Sequence, residues 1–221
     1  MSNYTTFQDN TTHGEDSFLV KELGGTNYLD VVLDGVTGHG GGEASRGVAE
    51  ALEAASIDSI NQLLEVIEEQ NAEFYQVGGG RFLLTTITAV LSLDGLTHVV
   101  HAGDSPFYLI KSDSYQQLSG RIGGLMRPGS TKVIGSAESI DLNVVEIPTE
   151  PGDRILLATD GVSDNLSAGE LVEVVRGAKS PEEAMTNIQN MIKERLDGGS
   201  VPHQMGGRYR HDDQTGIIRF F

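Results

Sequence analysis

Carboxylates recur along this chain beside short apolar runs, in Gly14-Glu15-Asp16, Leu33-Asp34-Gly35, Thr159-Asp160-Gly161 and His211-Asp212-Asp213-Gln214-Thr215. Asp30-Val31-Val32-Leu33 runs into Asp34, and Ile155-Leu156-Leu157-Ala158 leads to Asp160. Such runs read as β-strands, and strands deliver side chains to one edge of a sheet. Several carboxylates gathered there repel one another unless a cation joins them. The chain has no cysteine and few histidines at ligand spacing, so the donor set is oxygen, which favours magnesium or manganese over zinc. The first expectation is therefore a divalent-metal enzyme.

The elements that must carry these carboxylates can be read in order. Ser17 to Leu23 and Tyr28 to Asp34 flank a Gly24-Gly25-Thr26-Asn27 turn and predict a hairpin. After Gly38-His39-Gly40-Gly41-Gly42 the pattern turns helical over Ala44 to Ala55, where Glu43 and Ser45 read as capping and packing residues. A second helix spans about Ser59 to Gln76, with Ile60, Leu63, Leu64, Ile67 and Phe74 on one face as a core stripe. Strands are predicted over Phe82 to Leu93, Leu96 to Ala102, Phe107 to Lys111 and Tyr115 to Leu118, the first two joined by Asp94-Gly95. Ser119 to Ile140 is glycine-rich and weakly patterned, a loop with room for a short helix.

Asn143 to Ile147 and Arg154 to Thr159 follow as strands around a Pro151-Gly152-Asp153 turn. Ser167 with Glu170, and Ser180-Pro181, each open a helix. Ser200 to Arg210 reads as a surface connection to a last strand over Thr215 to Phe221. Strands, two helices, many strands, two helices and one strand suit an α+β fold, an antiparallel β-sandwich covered by helix pairs, better than a parallel sheet. A length of 221 residues with 38% hydrophobic content supports one domain over 1–221.

The formal charge of −17 argues against a nucleic-acid partner, because backbone binding needs a basic surface. It fits a solvated acidic surface or one that attracts basic proteins. No apolar run has transmembrane length, Met1 to Phe7 lacks an export signal, and a cytoplasmic location with no membrane partner is the expectation. Gly40-Gly41-Gly42 and Gly78-Gly79-Gly80 lack the lysine and hydroxyl of a P-loop and read as turns.

Taken together, Glu15-Asp16, Asp34-Gly35-Val36-Thr37-Gly38-His39-Gly40-Gly41-Gly42-Glu43-Ala44-Ser45, Ala102-Gly103-Asp104-Ser105, Thr159-Asp160-Gly161-Val162-Ser163-Asp164 and Asp212-Asp213-Gln214-Thr215 resemble the metal-dependent type 2C protein phosphatases, the PPM family. Any one Asp-Gly pair alone reads as an ordinary turn; the ordered set covers nearly the whole chain. The resemblance implies a four-layer αββα sandwich with two central antiparallel sheets, and a Mn²⁺ or Mg²⁺ centre of two ions with a weaker third. By the resemblance Asp34 bridges two metals, Gly35 offers its carbonyl, Asp160 and Asp212 hold the other side, and Glu15 is a ligand or positions water. Asp16 stands behind Glu15, and Asp104 joins Asp160 at the third ion. Asp164 reads either as support for these ligands or as a helix acid. Metals roughly 4 Å apart would activate water for in-line attack on a phosphoryl group. His39 corresponds to the family's proposed general acid. His13, His98, His101, His203 and His211 read as structural or solvent-facing.

Many family members carry an arginine four residues before the Glu-Asp pair, able to grip phosphate at two points. Thr11 stands there, leaving Arg46 or Arg210 as substitutes. The segment between Asp104 and Asp160 leaves room for only a reduced flap. The expected substrate is a phosphorylated protein, with regulation by a separate partner. A pseudophosphatase binding module and a phosphatase of a small phosphorylated metabolite remain the alternatives.

Overall fold

The computed structural model describes residues 3–122, 125–126, 132–198 and 211–221. Seventeen elements follow in chain order: β1 (Asn3–Asp9), β2 (Asp16–Gly24), β3 (Asn27–Asp34), α1 (Gly41–Ala54), α2 (Ile60–Gly78), β4 (Ile87–Leu93), β5 (Leu96–Ala102), β6 (Phe107–Ile110), β7 (Tyr115–Gln117), β8 (Arg121–Ile122), β9 (Leu125–Met126), β10 (Asn143–Ile147), β11 (Arg154–Ala158), α3 (Asp160–Ser163), α4 (Ala168–Gly177), α5 (Pro181–Gly198) and β12 (Gln214–Phe220). One five-stranded sheet has the order β1-β12-β11-β6-β7, the other β10-β5-β4-β3-β2, and every pairing is antiparallel.

Three apolar layers hold the sheets and helices together. Val48, Leu52, Leu63 and Ile67 of α1 and α2 pack on Leu29, Val31 and Leu33 of β3. On the other side Leu171, Val175, Ile188 and Ile192 of α4 and α5 cover Leu156 and Ile218. Between the sheets lie Tyr28, Val32, Val90, Phe107, Leu109, Ile155, Leu157 and Ile217. Strand residues alternate between these layers because side chains point to opposite faces in turn. The result is the expected α+β sandwich of layers αββα.

Local signals account for the element ends. Asp94 and Gly95 both take positive φ, 50° and 83°, as a two-residue hairpin turn of matching twist requires. Ser167 and Glu170 form a complete capping box at α4, Ser59 caps α2, and Pro181 opens α5.

Three details differ from the sequence reading. The polar segment Asn3–Asp9 is a strand, stabilised by pairing with β12 along its whole length. The strand predicted from Phe82 begins only at Ile87, because Leu83 takes φ 58° and the segment turns to cover the glycine-rich loop. There Val36 N–H donates to the Leu84 carbonyl at 2.9 Å, and Leu84 N–H to that of His39 at 3.3 Å. Within 119–140 the described residues hold the β8–β9 pair instead of a helix. The connection predicted over 200–210, with Arg210, lies outside the described residues.

The two sheets are also tied through a charge pair in their shared interior. Arg219 of β12 donates from Nε and Nη2 to the two carboxylate oxygens of Asp30 in β3, each at 2.8 Å, and its guanidinium lies 3.8 Å from the Tyr28 ring centre. Burial pushes the Asp30 carboxyl up while the guanidinium pulls it back down. The two-point geometry compensates the desolvation of both charges.

Candidate metal centre and active site

The strand ends bring carboxylates from both sheets to one place. Asp34 closes β3 and faces Asp16, its cross-strand partner at the start of β2. The Asp34 backbone is pinned on both sides: its N–H donates to Thr86 Oγ1 at 3.1 Å, and its carbonyl accepts from Thr86 N–H at 2.8 Å and Thr85 Oγ1 at 3.0 Å. From the other sheet, Asp160 begins the α3 turn directly after β11. Across the gap the Asp34 and Asp160 carboxyls are close enough to influence each other's ionisation. Asp104, after β5, adds repulsion at both, and Asp212 and Asp164 add it at Asp160.

This crowding shows in the protonation of the group. Desolvation first, then Asp160 and Asp16, push Asp34 well above the usual carboxylate range. Asp160 is pushed up to about 6, again chiefly by desolvation, then by Asp104, Asp164 and Asp212. Asp16, only 5% exposed, is pushed up to about 7 by burial, against the opposing hydrogen bonds of Thr159 and Thr215. Thr159 Oγ1 donates to Asp16 Oδ2 at 2.8 Å and accepts from Thr215 N–H at 3.0 Å, so β2, β11 and β12 meet at one hydroxyl.

Glycines at the site answer to space as well as to turns. A Cβ on Gly35 would come within 2.6 Å of the Glu15 carbonyl oxygen and would meet the Gly41 backbone. Gly35 N–H donates to that same carbonyl at 3.2 Å. The segment after Asp34 therefore runs against both the Glu15 turn and the start of α1, which only glycine allows.

Glu15 sits on a turn whose backbone is held by Asp213. Asp213 is 3% exposed and accepts from the N–H groups of Thr12 at 3.1 Å, His13 at 2.9 Å and Glu15 at 2.8 Å. Ser45 Oγ of α1 donates to the Glu15 carbonyl at 2.6 Å and lies 3.0 Å from Ser17 Oγ. The Glu15 carboxylate accepts from Thr37 Oγ1 of the glycine-rich loop at 2.5 Å. His13 Nε2 lies 3.8 Å from Asp212 Oδ1, a neighbour the sequence reading did not assign.

His39 is exposed on that same loop, with Nδ1 2.7 Å from the Arg81 carbonyl. A carbonyl only accepts, so Nδ1 carries the hydrogen. Thr11, in the place of the expected arginine, closes a turn by donating from Oγ1 to Asp9 Oδ1 at 2.7 Å. Arg46 lines a cavity of about 260 Å³ with Asn10 and Asp16. Among the described residues no three acidic or histidine side chains are already spread into a metal-binding group. The donor chemistry nevertheless suits a hard cation: carboxylate oxygens gathered from both sheets and destabilised by burial and like charge.

Two antiparallel sheets between helix pairs, with acidic groups converging from the strand ends, define a PP2C-type phosphatase domain. The family profile of Stage II sporulation protein E (SpoIIE) matches residues 25–219, and the chain belongs to that family. It is similar to protein phosphatase PhpP of Streptococcus pneumoniae, 25% identical over 175 residues that cover 66% of this chain and 71% of that protein. The serine/threonine phosphatase stp of Listeria innocua is 22% identical over 203 residues, covering 77% of this chain and 81% of that one. The fold is similar to the crystal structure of serine/threonine phosphatase Stp1 from Staphylococcus aureus, with a TM-score of 0.79, 21% identity, and coverage of 100% of this chain and 95% of that chain. No helix among the described residues is long and apolar enough to cross a membrane.

Proposed function

We propose that this chain is a metal-dependent phosphoserine and phosphothreonine protein phosphatase. The convergence of Asp34 at the end of β3 with Asp160 after β11 carries the reading: carboxyls from different sheets, both raised by burial and by neighbouring acids, form an arrangement that a cation would relieve. Asp34, the Gly35 carbonyl, Asp160 and Asp212 would hold the ions, and Asp104 with Asp160 would hold a weaker third. Glu15, on a turn fixed by Asp213 and Ser45 and hydrogen-bonded to Thr37, would contribute a further carboxylate. Bound there, two manganese or magnesium ions would supply an activated water and offset the phosphoryl charge during in-line displacement.

The chain's own residues supply the remaining steps. With Nδ1–H fixed on the Arg81 carbonyl, the His39 imidazolium would hold its second proton on Nε2 and deliver it to the departing serine or threonine oxygen. The named relatives support a phosphorylated protein as substrate.

The test is hydrolysis of a chromogenic phosphate ester by chelator-treated protein with and without added manganese, followed by panels of phosphopeptides and phosphorylated metabolites. Metal-dependent turnover with phosphopeptides preferred is the expected result. Ester and peptides left intact at every metal concentration would make the chain a binding module, and metabolites preferred over peptides would move the substrate class.

A further inference from the structure

In a chain of charge −17 acidic partners are plentiful, and most of the described arginine side chains have a partner. Arg154 donates to the Val175 and Arg176 carbonyls, Arg176 to Glu173, Arg195 to Glu170 and Arg219 to Asp30. Alone among the described arginine side chains, Arg46 and Arg81 make no hydrogen bond or ion pair. Arg81 is exposed, and its backbone carbonyl is the group that accepts from His39. The next residue, Phe82, is 49% exposed although it is a large apolar side chain, and it sits against Gly40, where an added Cβ would come within 3.0 Å of its ring. Val77, in the last turn of α2, is 70% exposed. Phe82 also touches Gly78, the residue after Val77.

An unpaired, exposed arginine and a half-exposed ring thus follow one another in the segment whose carbonyl anchors His39, with an exposed valine in the preceding helical turn. Nothing in the fold requires them to face water: Arg81 braces no described element, and the exposed part of Phe82 adds nothing to the core. Arginine and aromatic residues are the side chains that dominate recognition surfaces. His39 would protonate the departing oxygen, so groups beside it lie on the side of the leaving chain and away from the transferred phosphoryl.

We propose that Arg81 and Phe82 form a specificity subsite for the peptide flanking the phosphorylated residue, with an acidic side chain of the substrate on Arg81 and an apolar one on Phe82. The subsite rests on the protein-phosphatase reading and names the substrate class within it. The acidic surface as a whole repels acidic ligands, so this local positive charge selects where along a substrate an acid is accepted.

The test compares phosphoserine peptides that carry Glu or Lys beside the phosphorylated residue, using wild type, Arg81→Glu and Phe82→Ala. Arg81→Glu keeps the backbone carbonyl on which His39 depends. Each kcat/KM is divided by that for 4-nitrophenyl phosphate, which has no flanking chain, so a general loss at the site cancels. Wild type should prefer the Glu peptide by about two- to fivefold, the range of an exposed ion pair, and Arg81→Glu should invert the preference. Phe82→Ala should erase a preference for apolar over glycine neighbours. An unchanged Glu-to-Lys ratio in Arg81→Glu overturns the proposal. So does weaker inhibition by inorganic phosphate with the ratio intact, which would place Arg81 on the phosphoryl group. If wild type hydrolyses none of these substrates, the phosphatase reading has failed; fluorescence anisotropy with labelled peptides in chelator then decides the subsite by the same inversion.

Discussion

Replacing Asp16 by Asn tests whether the carboxylate cluster is held together against its own charge. Asp16 is 5% exposed, accepts from Thr159 Oγ1 at 2.8 Å, and is pushed from 3.8 up to about 7 by burial, with further repulsion from Asp213 and Asp160. Its native pKa is raised, so below about pH 4 both folded and unfolded chains hold the proton and its stability contribution is fully present. As pH rises toward 7 the unfolded chain has released the proton while the folded one retains it, and stability falls through that window. At 1.36 kcal/mol per pH unit, the whole difference corresponds to roughly 4 kcal/mol, a ceiling because Asp34 and Asp160 are raised as well and their charges act on one another. An asparagine keeps the shape and an acceptor for Thr159 without the charge. In chelator, the gain in stability of Asp16→Asn over wild type should be larger at pH 8 than at pH 5 by roughly 2–3 kcal/mol, read by urea unfolding at both pH values. A difference between variant and wild type that stays flat with pH would refute the reasoning, as would a net loss in the variant at pH 8.

Asp34→Ala should remove nearly all phosphatase turnover while the protein stays folded, and should abolish thermal stabilisation by manganese; unchanged turnover would sink the two-metal reading. His39→Ala should slow phosphoserine peptides more than activated aryl phosphates, by up to about 10²-fold or more, because a proton matters most to a strongly basic leaving oxygen; equal slowing of both would point to a damaged loop. Asp213→Ala strands three backbone N–H groups of the Glu15 turn and should cost about 3 kcal/mol in denaturant unfolding, with a loss below about 1 kcal/mol counting against the role assigned to it. Thr11→Arg should lower both KM and the inhibition constant of inorganic phosphate if the position faces an empty phosphate subsite, and no change or a rise in both would show that it does not.

The parts of this fold that were legible in the sequence are those whose cause is local. Asp94-Gly95 sets its own hairpin, Ser167 and Glu170 cap the helix they open, and Ser180-Pro181 starts α5 wherever it is packed. The carboxylates were legible for a related reason: each stands where an apolar run stops, so its place at a strand end is written beside it. The apolar residues 82–84 misled because Leu83 and Leu84 are buried without joining a ladder; they cover the His39 loop, and hydrophobicity alone does not distinguish the two fates. β1 escaped because its Thr, Gln and Asn residues become a strand only when β12 supplies the pairing groups.

Residues that hold the site depend on contacts that no local pattern encodes. Asp213 caps backbone groups 198 to 201 positions away, Thr159 reaches Asp16 across 143, and Arg219 reaches Asp30 across 189. In sequence each is a single polar residue in or beside an apolar strand, and the bland reading of such a residue is a turn or an edge. Stacking the two sheets changes that reading, because a polar group enclosed between them must find a partner in the other sheet or destabilise both. The Asp34–Asp160 pair follows the same logic with the opposite sign. The same stacking that satisfies Arg219 and Thr159 brings two acids from different sheets near each other, and the fold carries that repulsion at the strand ends of the sandwich.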